Sequence, residues 1–423
     1  MKWPLLPTWK GVVLTILVAA FLSTFVLVGT ASVYAFNKQN EIGALSHKHL
    51  GDDFTFAWER RLEPILDKYK RTKFELVGGD TRPEEINSEG YVYAGGRVYG
   101  PAVPPPEAEH VSSKEIAPQD VVPVPVKAPS WAPPPTAPFQ PERNKDEGIW
   151  SFKGLPNPEW REPVMSAMFL LPDKARPYAV VRILAIDSKH TQLHLSNGWA
   201  IPDGDRPYTL AAWPGAFRLT HGTSRMTIDG NAYAGLPNGG PAYAIPGHPS
   251  QRLVNGAASL VIDRYGNVAL GVWGRDLFWN DDMVSVRQNS VLLVDKCQLT
   301  YEAINGGTGN WGQVLDNDFT TLTAMRSGIG ITANGDLLVA VGNDLTPVAL
   351  ASALQRAGAC RAMLLDMNGE WVMASLYYPQ DNGSWFKSEK LYDKLIGDKN
   401  RYLTGNYKSA DFMFLTLDEL RNP

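Results

Sequence analysis

Residues 328–342, GIGITANGDLLVAVG, leave the backbone few choices. Two apolar runs with high strand propensity flank Asn334-Gly335, a pair that accepts the positive φ of a tight hairpin turn. The next run, LTPVALASALQRAG over 345–358, carries a helix start and stop in its own residues. Thr346 is a candidate N-cap, Pro347 suits the first helical position, and Gly358 ends a helix without a Cβ penalty. Arg361 to Leu365 then reads as a strand ending at Asp366. Hairpin, helix, strand and a polar strand end place a carboxylate on a rigid support.

The surrounding residues 148–423 are rich in Gly, Trp and β-branched side chains and are long enough for one domain with a substantial core. Tyr178 to Ile186, Thr191 to Leu195, Ala258 to Ile262 with the turn DRYGN, and Val268 to Trp273 read as hairpin strands of a curved sheet. The expected class is α+β: a single globular domain with a curved mixed β-sheet and a few packed helices.

The N-terminal part reads differently. Residues 11–36 contain no charged side chain, enough at ~1.5 Å per residue to cross a hydrocarbon core of about 30 Å. This predicts an uncleaved transmembrane helix after a cytoplasmic segment, 1–10. Lys2 and Lys10 precede the run, and a mixture of Lys38, Glu41, His47 and Lys48 follows it. That bias points the C-terminal domain to the periplasmic or extracellular side. Residues 37–100 form an expected stalk with a short amphipathic helix over 52–72, interrupted by Pro64. Residues 101–147 form a proline-rich linker, with PPP twice and VPVPV between, which favours extended polyproline II. The linker also offers a surface to an envelope protein partner.

A formal net charge of −4 leaves no electrostatic footprint for nucleic acid. Cys297 and Cys360 are too few for a disulfide framework and lack zinc spacing; they are either one bridge or two buried small side chains. No Walker loop, dinucleotide fingerprint, metal motif or G-x-S-x-G elbow is present, so no cofactor is called for.

Polar residues remain in apolar or Gly-rich surroundings: Arg275 with Asp276, Arg287-Gln288-Asn289, Arg326-Ser327, and Asp366-Met367-Asn368. A guanidinium at Arg326 suits a phosphate or carboxylate, or else pairs structurally with Asp366. The Asp366 carboxylate does acid/base work, orients water, or is an ordinary strand-end turn residue. Asn368 either bonds a sugar hydroxyl or completes an Asx turn. Arg287, Gln288 and Asn289 suit a polyhydroxyl ligand or a solvated strand end. Tryptophans 199, 213, 273, 279, 311 and 371 supply stacking platforms or core.

Together RPYAVVRILAID (176–187), LAAWPGAF (210–217), NGAASLVIDRYGNVALGVWGRD (255–276), VRQNSVLLVD (286–295) and the segment 325–371 resemble the phosphodiester glycosidase family. The family includes the enzyme that uncovers mannose 6-phosphate and many bacterial exopolysaccharide-related proteins. The resemblance covers roughly 176–380 and is most specific from Met325 to Trp371. Trp213-Pro214-Gly215-Ala216-Phe217 stands where many members have Asn-Gly-Gly-Phe-Phe, and Asp366 is followed by Met367-Asn368-Gly369 rather than glycines and a serine. The resemblance implies an envelope-facing hydrolase that cleaves a sugar-1-phosphodiester in a glycan. In that reading Arg326 and Asp366 are catalytic, and Asn368, Arg287, Gln288, Asn289 and Arg275 hold substrate. The alternative is a glycan-binding or scaffold protein of the same fold without turnover.

Overall fold

The computed structural model describes residues 65, 67–79, 81–86, 131, 133–157, 162–198, 200–236, 241–305, 323–367, 369, 371–379, 386–405 and 411–417. The chain divides into two units, Met1–Glu75 and Leu76–Pro423. In the first, residues 65 and 67–75 belong to helix α1, within and just beyond the expected stalk helix. The expected span 11–36 lies outside the described residues. Among the described residues no helix is long and apolar enough to cross a membrane.

The second unit contains three sheets, every strand pair in them antiparallel. Sheet A runs in the order β1 (Met165–Leu170), β2 (Val181–Ile186), β14 (Leu337–Leu345), β13 (Ala324–Thr332), β15 (Ala359–Leu364), β11 (Leu292–Asp295), β12 (Gln298–Leu299). Sheet B runs β17 (Phe386–Lys390), β16 (Ser375–Pro379), β4 (Thr209–Pro214), β18 (Phe412–Leu417), β3 (Thr191–Ser196). Sheet C runs β7 (Tyr243–Ile245), β6 (Asn231–Ala234), β5 (Arg225–Ile228), β10 (Met283–Gln288), β8 (Ala258–Asp263), β9 (Val268–Val272).

Sheet A is covered on both faces, which is why its central strands are apolar without alternation. Leu337, Val339 and Val341 of β14 enter one core with the sheet B residues Trp213, Phe412 and Phe414. Leu338 and Ala340 enter another beneath helix α2 (Pro347–Arg356), with Leu350 and Leu354. The glycines of GIGI let that helix approach: a Cβ at Gly328 would lie 3.0 Å from Leu354 Cδ1. The local signals act as read. Thr346 accepts the Ala349 amide at 3.2 Å, and Gly335 and Gly358 have φ of 93° and 105°.

Two expectations are corrected. The fold is mainly β, not α+β with a mixed sheet: of the described residues 37% are in strands and 14% in helices. Strands β14 and β15 run parallel to each other, joined by α2, with β13 between them and antiparallel to both. Strands β2 and β3 form no hairpin. They belong to sheets A and B, and β3 pairs with β18 more than 200 residues away.

Part of the expected spacer packs on this unit. Trp131 and Phe139 lie against the α2-side core, as does Trp150 just beyond the spacer. Buried Glu147 accepts the backbone amides of Phe139, Gln140 and Leu171 at 2.9, 2.9 and 2.8 Å. Cys297 and Cys360 form a disulfide, and the Cys297 carbonyl accepts from Gln355 Nε2 of α2 at 2.9 Å. The bridge ties β15 to the β11–β12 turn, where Lys296 and Cys297 have φ of 50° and 62°.

Candidate functional site at the junction of three sheets

The end of β15 departs from regular pairing. The Ser327 carbonyl accepts the Leu365 amide at 2.9 Å, while its own amide and hydroxyl donate to the Asp366 carbonyl at 2.9 and 2.8 Å. One residue of β13 thus faces two beyond β15, the pattern of a β-bulge, which turns a side chain out of the strand's alternation. Asp366 is the residue so turned. It is 6% exposed, and its Oδ1 accepts the Met367 amide at 2.7 Å. Arg326, next to Ser327, is fully buried. Its Nε donates to the Leu345 carbonyl at 2.7 Å and its Nη1 lies 3.6 Å from Met367 Sδ.

Sheet C reaches the same place through the end of β10. Asn289 Nδ2 donates to the Leu364 and Leu365 carbonyls at 2.9 and 3.1 Å, clamping this end to the bulge. Asn289 Oδ1 is buried and has no hydrogen-bond partner among the described residues. Arg287 is fully buried and all its N–H groups are occupied. Nε and Nη2 donate to Asp411 at 2.6 and 3.0 Å, Nη2 also to the Phe217 carbonyl at 2.6 Å, and Nη1 to Ser224 Oγ and the Gln288 carbonyl, each at 2.7 Å. Gln288 is equally enclosed: Oε1 accepts the Val254 amide at 2.7 Å and Nε2 donates to Ser259 Oγ at 2.9 Å. These two residues hold the junction together and present nothing to a ligand.

Sheet B contributes Asp411, just before β18, and Gly215, just after β4. The Gly215 amide donates to the Asp411 carbonyl at 3.0 Å, and a Cβ at Gly215 would fall 1.9 Å from Asp411 Oδ2. The Trp-Pro-Gly-Ala-Phe segment therefore wraps the Arg287–Asp411 pair. Tyr402, in the short helix α3 (Arg401–Thr404), donates to the Met373 carbonyl at 3.0 Å. Burial pushes its phenol pKa well up; Arg401 opposes the rise, while Asp366 and Asp411 add to it. Both carboxylates thus act on one phenol. Partly buried Trp371 has two cationic neighbours, with guanidinium carbons of Arg401 and Arg218 at 5.0 and 5.8 Å from its ring centre.

Of the expected site residues, Arg326, Asp366 and Asn289 converge at the bulge, with Arg287 and Gln288 beneath. Arg275 lies elsewhere. It is exposed and bonds Asp276 and Asp295 at 2.6 Å, a cluster joined by Arg361 near the start of β15, roughly 17 Å along the strand from Asp366. Asn368 lies outside the described residues. Sequence reading missed Arg218, Arg401, Tyr402 and Asp411. Asp411 carried a usable signal, a charge directly before the largely apolar strand FMFLTL. Arg401 carried none. Among the described residues no cluster of three or more His, Cys, Asp or Glu could hold a metal ion.

No family model and no curated protein matches the chain. Among solved structures it is similar to the catalytic domain of zebrafish N-acetylglucosamine-1-phosphodiester alpha-N-acetylglucosaminidase, auto-inhibited by its pro-peptide. That match has 14% identity and a TM-score of 0.37, covering 62% of this chain and 86% of that one. It is also similar to a hypothetical protein from Synechocystis, at 10% identity and a TM-score of 0.32, covering 60% of this chain and 62% of that one. Similarity at this level does not assign an activity.

Proposed function

We propose that the three-sheet junction binds a sugar-1-phosphodiester and hydrolyses the bond between its anomeric carbon and the phosphate oxygen. The observation that carries this reading is Trp371, close after Asp366 in the chain, with two guanidinium groups against its ring. An apolar ring face beside cationic groups suits a ligand that is part sugar ring and part anion. Asp366 takes a proton from the attacking water, the carbon–oxygen bond breaks, and the electron pair leaves on the phosphate monoester. Arg326 balances charge at the phosphate, Asn368 holds a sugar or phosphate oxygen, and Asn289 Oδ1 accepts from a sugar hydroxyl. Phosphate is a good leaving group, so one carboxylate is compatible with the chemistry. The disulfide supports maturation in an oxidising compartment, as an envelope-facing domain requires.

The second reading is binding without turnover. It is favoured by Asp411, whose two carboxylate oxygens are both engaged by Arg287, so it does not serve as the partner carboxylate of an ordinary glycosidase. Release of free sugar from synthetic hexose and N-acetylhexosamine phosphodiesters by the full chain, beside Asp366→Asn, separates them. Turnover lost in the variant supports hydrolysis; binding of the diesters with no release by the parent supports the second reading.

A further inference from the structure

An open depression of about 340 Å³ lies on sheet C, lined by Asp229, His248, Pro249, Trp279, Asp281 and Met283 among others. Its size falls at the lower end of small-molecule sites, roughly 300–1,000 Å³. It sits at the start of β10, whereas the junction lies at the other end of that strand, roughly 17 Å away.

The lining has three chemistries. Trp279, partly buried, packs from one side against the small core of Trp273, Met283 and Val286 and meets the His248 ring edge-on at 5.4 Å. His248 Nδ1 faces the Ser250 hydroxyl at 2.7 Å and accepts the Ser250 amide at 3.3 Å, so the neutral ring carries its proton on Nε2 as a donor. Asp229 and Asp281 are exposed, and among the described residues neither carboxylate has a hydrogen bond or ion pair. An indole, one fixed donor, two acceptor-only carboxylates and an apolar floor of Pro249 and Met283 match a sugar ring, with its apolar face and hydroxyl edge. A simple cation would leave the imidazole donor and the floor unused, and an anion would meet both carboxylates.

We infer that this depression is a carbohydrate-binding subsite for an uncharged sugar unit, separate from the junction. Trp279 stacks on the ring, Asp229 and Asp281 accept its hydroxyl hydrogens, and His248 Nε2 donates to a ring substituent. Binding here does not require the junction to be catalytic.

The test is tryptophan-fluorescence and calorimetric titration of the full chain with methyl glycosides of glucose, galactose, mannose and N-acetylglucosamine, and with spermidine. Saturable sugar binding that weakens about tenfold in Trp279→Ala is expected, that being the worth of one ring contact. Asp281→Asn, at an exposed position that leaves the fold intact, should weaken it several-fold, with unchanged thermal melting as the control. Binding of spermidine and not the glycosides, no saturable sugar binding, or sugar binding indifferent to Asp281→Asn and Trp279→Ala would each overturn the inference. Loss of phosphodiester turnover leaves these titrations unaffected, so the two proposals fail separately.

Discussion

Arg287 and Asp411, 124 residues apart in sequence, meet through two hydrogen bonds of 2.6 and 3.0 Å with both side chains buried. The pair joins sheet C to sheet B beneath the Gly215 turn and leaves no donor of Arg287 for a ligand. Removing one partner strands the other charge in the interior. Asp411→Ala is expected to lose about 3–5 kcal/mol of unfolding free energy in urea titration. Gly215→Ala is expected to destabilise by a similar route, by pushing the carboxylate off its partner.

Asp366→Asn keeps the Oδ1 acceptor for the Met367 amide, and the bulge is made by backbone groups. Its unfolding free energy is therefore expected to stay within about 1 kcal/mol of the parent while sugar release is abolished. A large fall in melting temperature would mean that the carboxylate is structural.

Glu147 gathers three backbone amides, two of them in buried hydrogen bonds, and leaving each buried one unsatisfied costs roughly 1–3 kcal/mol. Glu147→Ala should therefore lower the melting temperature sharply, and Glu147→Gln, which keeps one acceptor oxygen, by less. A chain that starts at residue 148 should be less stable than one that starts before Trp131, measured by urea unfolding of the two.

The disulfide closes a loop across a sequence separation of 63, and loop entropy predicts about 4 kcal/mol of stabilisation. Dithiothreitol should lower the urea midpoint accordingly. The first amide protons to exchange should be those of the β11–β12 turn, whose two positive φ values the bridge helps to hold.

Hydrogen bonds from Arg275 hold the Asp276 carboxyl down to about 2, against an ordinary 3.8. A depressed carboxylate contributes stability above its unfolded value and loses it as pH falls through the folded one. The urea midpoint should therefore fall between about pH 4 and pH 2, more steeply in the parent than in Asp276→Asn. The difference should be small and shrink with added salt, because Arg275 is half exposed.

The sequence by itself determined the local elements of sheet A. Asn334-Gly335, Thr346-Pro347 and Gly358 act through their own φ values and hydrogen bonds within a few residues, so the hairpin, the helix and the strand leading to Asp366 were legible. Asp366 and Arg326 could be singled out because each charge borders an apolar strand. The strand pairings were not legible, since β15 beside β13 and β3 beside β18 join apolar segments that would fit several neighbours equally well. The roles of the polar residues were decided by those pairings. Arg287 and Arg326 look alike in sequence, but only tertiary structure supplied Asp411, Ser224 and the Phe217 carbonyl, which fill every donor of Arg287. The same long-range packing brought Arg218 and Arg401 to Trp371 and left Arg275 at the opposite end of β15. A side chain's chemistry is set by its residue type, but its availability is set by what the fold packs against it.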